Sequence, residues 1–259
     1  ITFGFPKVGL LIPPGTEFTG ELNVVEIGIP RRLSEDEKIP IQLLEGEEVR
    51  RSLSVPRRRD SHKGDYGHLL VLAGSAGKTG AAAMACEAAL RIGAGLVTLG
   101  IPRSLNPILE VKLTEAMTEP LPETPKKTLS IRAFNAILRL CEKKQALVIG
   151  PGIGTEKETQ SLVRKLLKTL SLPIVLDADG LTALAAQIHT FTPRKTPIVL
   201  TPHPGEMARL TGLTVRQVLE DRIGVSREFA QRYQVYLVLK GFRTLIVTRP
   251  GPAEGKTTV

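Results

Sequence analysis

His68-Leu-Leu-Val-Leu-Ala-Gly-Ser-Ala-Gly-Lys-Thr-Gly-Ala-Ala-Ala-Met-Ala-Cys-Glu-Ala-Ala-Leu-Arg-Ile92 decides the fold. A short apolar run passes through a glycine-bearing turn into a helix-forming stretch, and the same unit recurs to the end of the chain. The pattern predicts strands at Leu69–Ala73, Leu96–Ile101, Ala146–Ile149, Ile174–Leu176, Ile198–Leu200, Val235–Leu239 and Leu245–Val247. It predicts helices at Gly80–Ile92, Ile131–Lys143, Glu156–Leu170, Gly180–Gln187 and Asp221–Tyr233. Strands alternating with helices imply right-handed crossovers and an α/β fold, a mostly parallel, doubly wound sheet covered on both faces. In such sheets ligands bind outside the carboxyl ends of the strands.

The residues at those ends are distinctive. Ala73-Gly-Ser-Ala-Gly-Lys-Thr-Gly80 resembles a phosphate-binding P-loop but lacks its first glycine, because Leu72 occupies that position. Its glycines could admit a ligand to a helix start or serve a tight turn packed through Ala81-Ala82-Ala83, and the two readings weigh evenly. Gly150-Pro-Gly-Ile-Gly154 makes a rigid loop poor in side chains, followed by Thr155 and Glu158 in capping-box spacing. Three glycines exceed what a plain turn needs, which favours a ligand. Asp177-Ala-Asp179 sets two carboxylates at i and i+2, on one side of an extended segment, where they could hold Mg²⁺ or orient a hydroxyl. Asp179 as a helix N-cap beside a satisfied Asp177 explains the residues equally well.

Thr201-Pro-His-Pro-Gly-Glu206 builds rigidity around an imidazole, with prolines on both sides of His203 and Glu206 entering a helix. That setting favours a phosphate or substrate ligand, whereas His62, His68 and His189 read as structural. Lys240-Gly-Phe-Arg-Thr244 follows another strand and offers an ammonium, a bare backbone and a hydroxyl; alone, it reads as a hairpin turn with an exposed lysine.

The totals set bounds. In 259 residues, 42% hydrophobic content supports a real core, and 35 Lys and Arg against 26 Asp and Glu give a net charge of +9. That charge suits an anionic partner, but 4% aromatic content without tryptophan leaves few platforms for stacking bases. Cys86 and Cys141 are far apart and suggest neither a disulfide framework nor a zinc site, so a reducing cytoplasm is the expected home. Val8 to Ile12 is too short to span a membrane. Residues 1–30 read as strand-rich around Glu21–Ile27. Residues 31–60, with Arg31-Arg32, the acidic Ser34–Lys38, Arg50-Arg51 and Arg57-Arg58-Arg59, read as a charged connector, and residues 61–259 as the main domain.

Taken together and in order, His62-Lys-Gly-Asp-Tyr-Gly-His68, Val71-Leu-Ala-Gly-Ser75, Gly150–Gly154, Asp177–Asp179, Thr201–Glu206 and Lys240–Thr244 resemble the NAD(P)H-hydrate dehydratases, a branch of the ribokinase-like three-layer fold. Thr2–Leu10 and Gly20–Pro30 are similar to the last strands of the hydrate epimerase domain that precedes the dehydratase in bifunctional members. The resemblance implies that ADP or ATP, with Mg²⁺, phosphorylates the ring hydroxyl of NADHX or NADPHX, and that elimination of phosphate restores the cofactor. It implies further that Ala81, Gly152, Gly154, Asp179 and His203 contact the hydrate and that Lys240, Gly241, Phe242, Arg243 and Thr244 line the nucleotide site. The family's Gly-Gly-Thr/Ser-Gly-Asp segment, which carries the base, is not found before Val259, so no catalytic residue is assigned within the chain and these 259 residues alone are expected to be inactive. The expected partners are the small-molecule hydrate and further copies of the chain, with neither nucleic acid nor membrane. A ribokinase-like kinase of a vitamin precursor, or a non-catalytic nucleotide-binding relic, are the rival readings.

Overall fold

The computed structural model describes residues 1–34, 40–53, 57–249 and 257–258; the acidic run Glu35–Lys38 and the pair Gly255-Lys256 lie outside them. In chain order the strands are β1 (Thr2–Phe3), β2 (Val24–Val25), β3 (Ile41–Gln42), β4 (His68–Leu72), β5 (Leu96–Pro102), β6 (Met117–Leu121), β7 (Ala146–Ile149), β8 (Ile174–Leu176), β9 (Ile198–Leu200), β10 (Tyr236–Leu239), β11 (Leu245–Val247) and β12 (Thr257–Thr258). Among the described residues β1 and β2 pair by themselves, and the rest form one sheet in the order β3-β12-β11-β10-β9-β8-β7-β4-β5-β6. From β6 to β10 every neighbour is parallel, and β11 is antiparallel to both β10 and β12. The order reverses between β4 and β7: the chain leaves β4 toward β5 and β6, then returns to the other side. That reversal is the switch point at which a parallel sheet opens a crevice for a ligand.

Alternation along β4 explains the layers. Leu70 and Leu72 face a core shared with Leu147, Ile149, Ile174 and Leu176, while Val71 and Ala73 face another shared with Leu99, Ile101 and Cys86. The helix Thr79–Ile92 lays Ala82, Ala83 and Cys86 on the second core; Lys157–Thr169 lays Leu162, Val163 and Leu166 on the first. Strand β6 is absent from the sequence reading because Met117-Thr-Glu-Pro-Leu121 has neither an apolar run nor strict alternation. It is tolerated because it lies at the sheet's edge, where Pro120 need not donate to a further strand.

Two expectations change. The first 30 residues contain the short helices Val8–Leu11 and Thr16–Thr19, and extended pairing is confined to β1 and β2, because a strand persists only where a partner strand runs beside it. Part of the stretch read as a connector is docked: β3 pairs with β12, and the Arg57 guanidinium lies 4.1 Å over the Tyr66 ring while donating to the Gly93 carbonyl.

Candidate functional site

Five loops meet at the carboxyl edge of the sheet. The first two are tied by backbone, as Gly74 N–H donates to the Pro151 carbonyl and the buried Ser75 hydroxyl to the Gly152 carbonyl at 2.7 Å. The three glycines of 150–154 are needed by geometry. Gly150, Gly152 and Gly154 have φ of +124°, +63° and +93°, and added Cβ atoms would lie 1.9 Å from the Asp177 carbonyl oxygen, 2.8 Å from Lys78 Cβ and 2.6 Å from Thr128 Cγ2. Packing therefore accounts for all three, and their number is not by itself a sign of a ligand. Ala81, in the first turn of Thr79–Ile92, faces Gly152, and its Cβ is 3.3 Å from the same added position.

The spacing of the two aspartates misleads. Ala178 adopts φ +49°, ψ −118°, so the segment is not extended and the carboxylates part company. Asp177 accepts from Thr201 Oγ1 at 2.6 Å and Lys240 Nζ at 2.8 Å; Asp179 accepts from Lys78 Nζ and the Gly154 amide, both at 2.9 Å. Asp179 is already the first helical residue and Ala178 holds the cap position, so Asp179 does not cap; it locks two loops together. Among the described residues no group of three Asp, Glu, His or Cys side chains is arranged to hold a metal.

Lys78 has no place among the residues singled out from the sequence, although it stands in the P-loop-like stretch. The fold carries it across 101 residues to Asp179, with half of its side chain still exposed. Lys240 is pinned rather than mobile: its amide donates to the Pro202 carbonyl and its ammonium lies 3.8 Å from Glu206 as well as against Asp177. The hairpin reading of Lys240–Thr244 is correct in form, with Leu239 opposite Leu245. What holds its tip is Arg222, also missed from sequence. Only 5% exposed, it donates to the Phe242 and Arg243 carbonyls at 2.8 and 3.0 Å, and burial lowers its pKa. Phe242 is left 66% exposed, Arg243 adopts φ +53°, and the Thr244 hydroxyl turns back to the Gly241 carbonyl.

His203 caps the helix Pro204–Thr211. Its Nδ1 accepts from the Gly205 and Glu206 amides, and the buried Glu206 returns the bond by accepting from the His203 amide at 2.8 Å. With Nδ1 occupied as an acceptor, a neutral ring carries its proton on Nε2, on a side chain half exposed at this edge. His203 and Lys240 are thus gathered by one chain of contacts, Lys240 to Asp177 and Glu206, Glu206 to His203, while the 150–154 loop is tied separately, through the Gly154 amide to Asp179. The expected capping box at Thr155 does not form: Glu158 instead accepts from the Ser130 hydroxyl and the Ile131 amide, which holds its carboxyl below the usual range. The motif His62–His68 belongs to the opposite end of the sheet, where the Tyr66 and Gly67 carbonyls start the β4 to β5 pairing.

Residues 69–257 match the family model described as NAD(P)H-hydrate dehydratase. The chain is 45% identical over 252 residues to the bifunctional NAD(P)H-hydrate repair enzyme of Moorella thermoacetica and 40% identical over 253 residues to that of Thermofilum pendens, covering 97% and 98% of itself but 47% of each relative. It therefore spans about half the length of these curated relatives. Among solved structures it is similar to the ADP/ATP-dependent NAD(P)H-hydrate dehydratase of Bacillus subtilis co-crystallized with ATP/Mg²⁺, with TM-score 0.69, 32% identity, and coverage of 85% of this chain and 73% of that one. A ribokinase-like superfamily protein of Enterococcus faecalis, TM-score 0.70 at 22% identity and covering 85% and 72% of the two chains, shares the fold. Motifs, sheet order and family match converge: the chain belongs to the NAD(P)H-hydrate dehydratase family and has its ribokinase-like α/β fold.

Proposed function

We propose that this chain performs the ADP- or ATP-dependent dehydration of the S form of NADHX or NADPHX, returning NADH or NADPH. The observation that carries the reading is the pair of lysines at the switch-point edge, Lys78 and Lys240, each held by one aspartate and each with nearly half of its side chain open. An ammonium has three donors, so each retains capacity for a phosphate oxygen. Transfer of a phosphoryl group to the ring hydroxyl turns a poor leaving group into phosphate. Loss of that phosphate together with a ring proton restores the double bond. The charge on the transferring group is proposed to be met by the two lysines. Ala81, Gly152, Gly154, Asp179 and His203 are proposed to face the hydrate; Lys240 to Thr244 are proposed to face the nucleotide, with the open Phe242 ring against its base. Mg²⁺ is proposed to arrive on the donor's phosphates, since it keeps few protein ligands. Asp177, Asp179 and Glu206 are all committed to partners at this edge, so the base is proposed to come from outside residues 1–259. Cytoplasmic residence and assembly with further copies belong to the same proposal; among the described residues no helix is long and apolar enough to cross a membrane.

The test follows recovery of the dihydronicotinamide absorbance from the S hydrate with ADP or ATP, using the 259-residue chain and a form extended beyond it. The extended form is expected to turn over and to lose at least a hundredfold in kcat/KM on Lys240→Ala. Turnover by an extended form that is indifferent to both Lys240→Ala and Lys78→Ala removes the site; equal turnover by the short form removes the external base.

A further inference from the structure

On the opposite edge of the sheet, before β8 and β9, lies a cleft of about 680 Å³. It is bounded by the end of the helix Lys157–Thr169 and by residues 190–196. Its cationic residues are Arg164, Lys168, Arg194 and Lys195, and no Asp or Glu lines it. None of the four makes an ion pair among the described residues. Its apolar floor includes Leu170 and the Phe191 ring.

Two of the cations are built in. Arg194 donates through Nη2 to the carbonyls of Leu170 and Leu172 and to the Thr196 hydroxyl, while its Nη1 is buried without a partner. Arg164 donates to the Ala183 carbonyl at 3.2 Å. Fixing a guanidinium against backbone carbonyls leaves its full positive charge in place. Burial with no carboxylate nearby is costly, and it lowers the Arg194 pKa. Lys168 and Lys195 are exposed at the rim. The arrangement concentrates positive potential over a wall of low dielectric, which favours an anion carried on an apolar body. Size decides between a lone ion and a molecule: pockets for small organic ligands run about 300–1,000 Å³, and a single phosphate needs far less.

We propose that this cleft is a second small-molecule site, separate from the lysine-lined edge, for a compound that carries a phosphate and a flat aromatic ring, as a nucleoside monophosphate does. The two sites share β8 and β9, whose three residues each place them roughly 10 Å apart along the strands.

The experiment is an amide NMR titration of the 259-residue chain with adenosine monophosphate, inorganic phosphate and adenosine as separate probes. It is repeated on the double variant Lys168→Glu/Lys195→Glu, both exposed positions, and on the neutral Lys168→Gln/Lys195→Gln in case charge reversal disturbs folding. Saturable shifts are expected in residues 168–171 and 190–196, with affinity for the monophosphate at least tenfold above that for either fragment. The double variants are expected to lose tenfold or more there and to leave shifts at residues 150–154 and 240–244 unchanged. No saturable shift at residues 190–196, or shifts that survive both double variants, overturns the proposal. Adenosine binding as tightly as the monophosphate overturns the anion part, and inorganic phosphate doing so overturns the ring part.

Discussion

Ala178 shows how one residue divides the labour of its neighbours. A non-glycine residue at φ +49°, ψ −118° costs about 1–3 kcal/mol, and here that conformation sends Asp177 toward Lys240 and Asp179 toward Lys78. Ala178→Gly is expected to remove the strain and, after about 0.5–1 kcal/mol for glycine's extra unfolded freedom, to raise stability by about 1 kcal/mol in urea unfolding. A lowered midpoint contradicts it. His68 makes a second prediction. Its Nε2 lies 2.8 Å from the Thr98 hydroxyl, and burial first, then the charge of Lys144, holds its pKa below the ordinary imidazole value. A lowered imidazole pKa means that the unfolded chain takes the proton more readily. Stability is therefore expected to fall as pH drops below about 6.5 and to go on falling until pH passes the depressed folded value. His68→Gln is expected to flatten that slope when unfolding is followed from about pH 7 to about pH 5; an unchanged slope assigns it to other groups.

Among the elements, the 150–154 loop is the most constrained. Gly150 combines φ +124° with a carbonyl 1.9 Å from an added Cβ, whereas Gly77 at φ +78° has nothing within 4 Å. Gly150→Ala is expected to cost about 3 kcal/mol or more, because overpacking adds to strain, and Gly77→Ala about 1 kcal/mol. Equal losses in thermal or urea unfolding refute the packing account. These loops also show why the site was partly legible. His203 between two prolines and Lys240 after an apolar strand announce themselves in the chain, since local rigidity and strand ends are local properties. Lys78 and Arg222 do not: their importance is a contact with Asp179, 101 residues away, and with carbonyls 20 and 21 residues away.

At the scale of the molecule, each core holds one thiol. Cys86 lies in the layer under the helix Thr79–Ile92 and Cys141 in the other, and burial pushes them up to about 12 and about 11. Both are protonated and inaccessible at neutral pH, so a thiol reagent is expected to modify them only when the chain opens, and at one common rate if the three layers unfold together. Faster reaction at Cys86 shows that its layer opens separately.

From the sequence by itself came the α/β class, most strands and helices of the sheet, and the run of loops at its carboxyl edge, because apolar periodicity and glycine-bearing turns are written in neighbouring residues. The tertiary structure alone decided the edge strand β6 and the parting of Asp177 from Asp179. It alone decided that three glycines answer to packing, and that Lys78 and Arg222 join the site. Each of those depends on which atoms come within a few ångströms across the fold, and spacing along the chain carries no record of that.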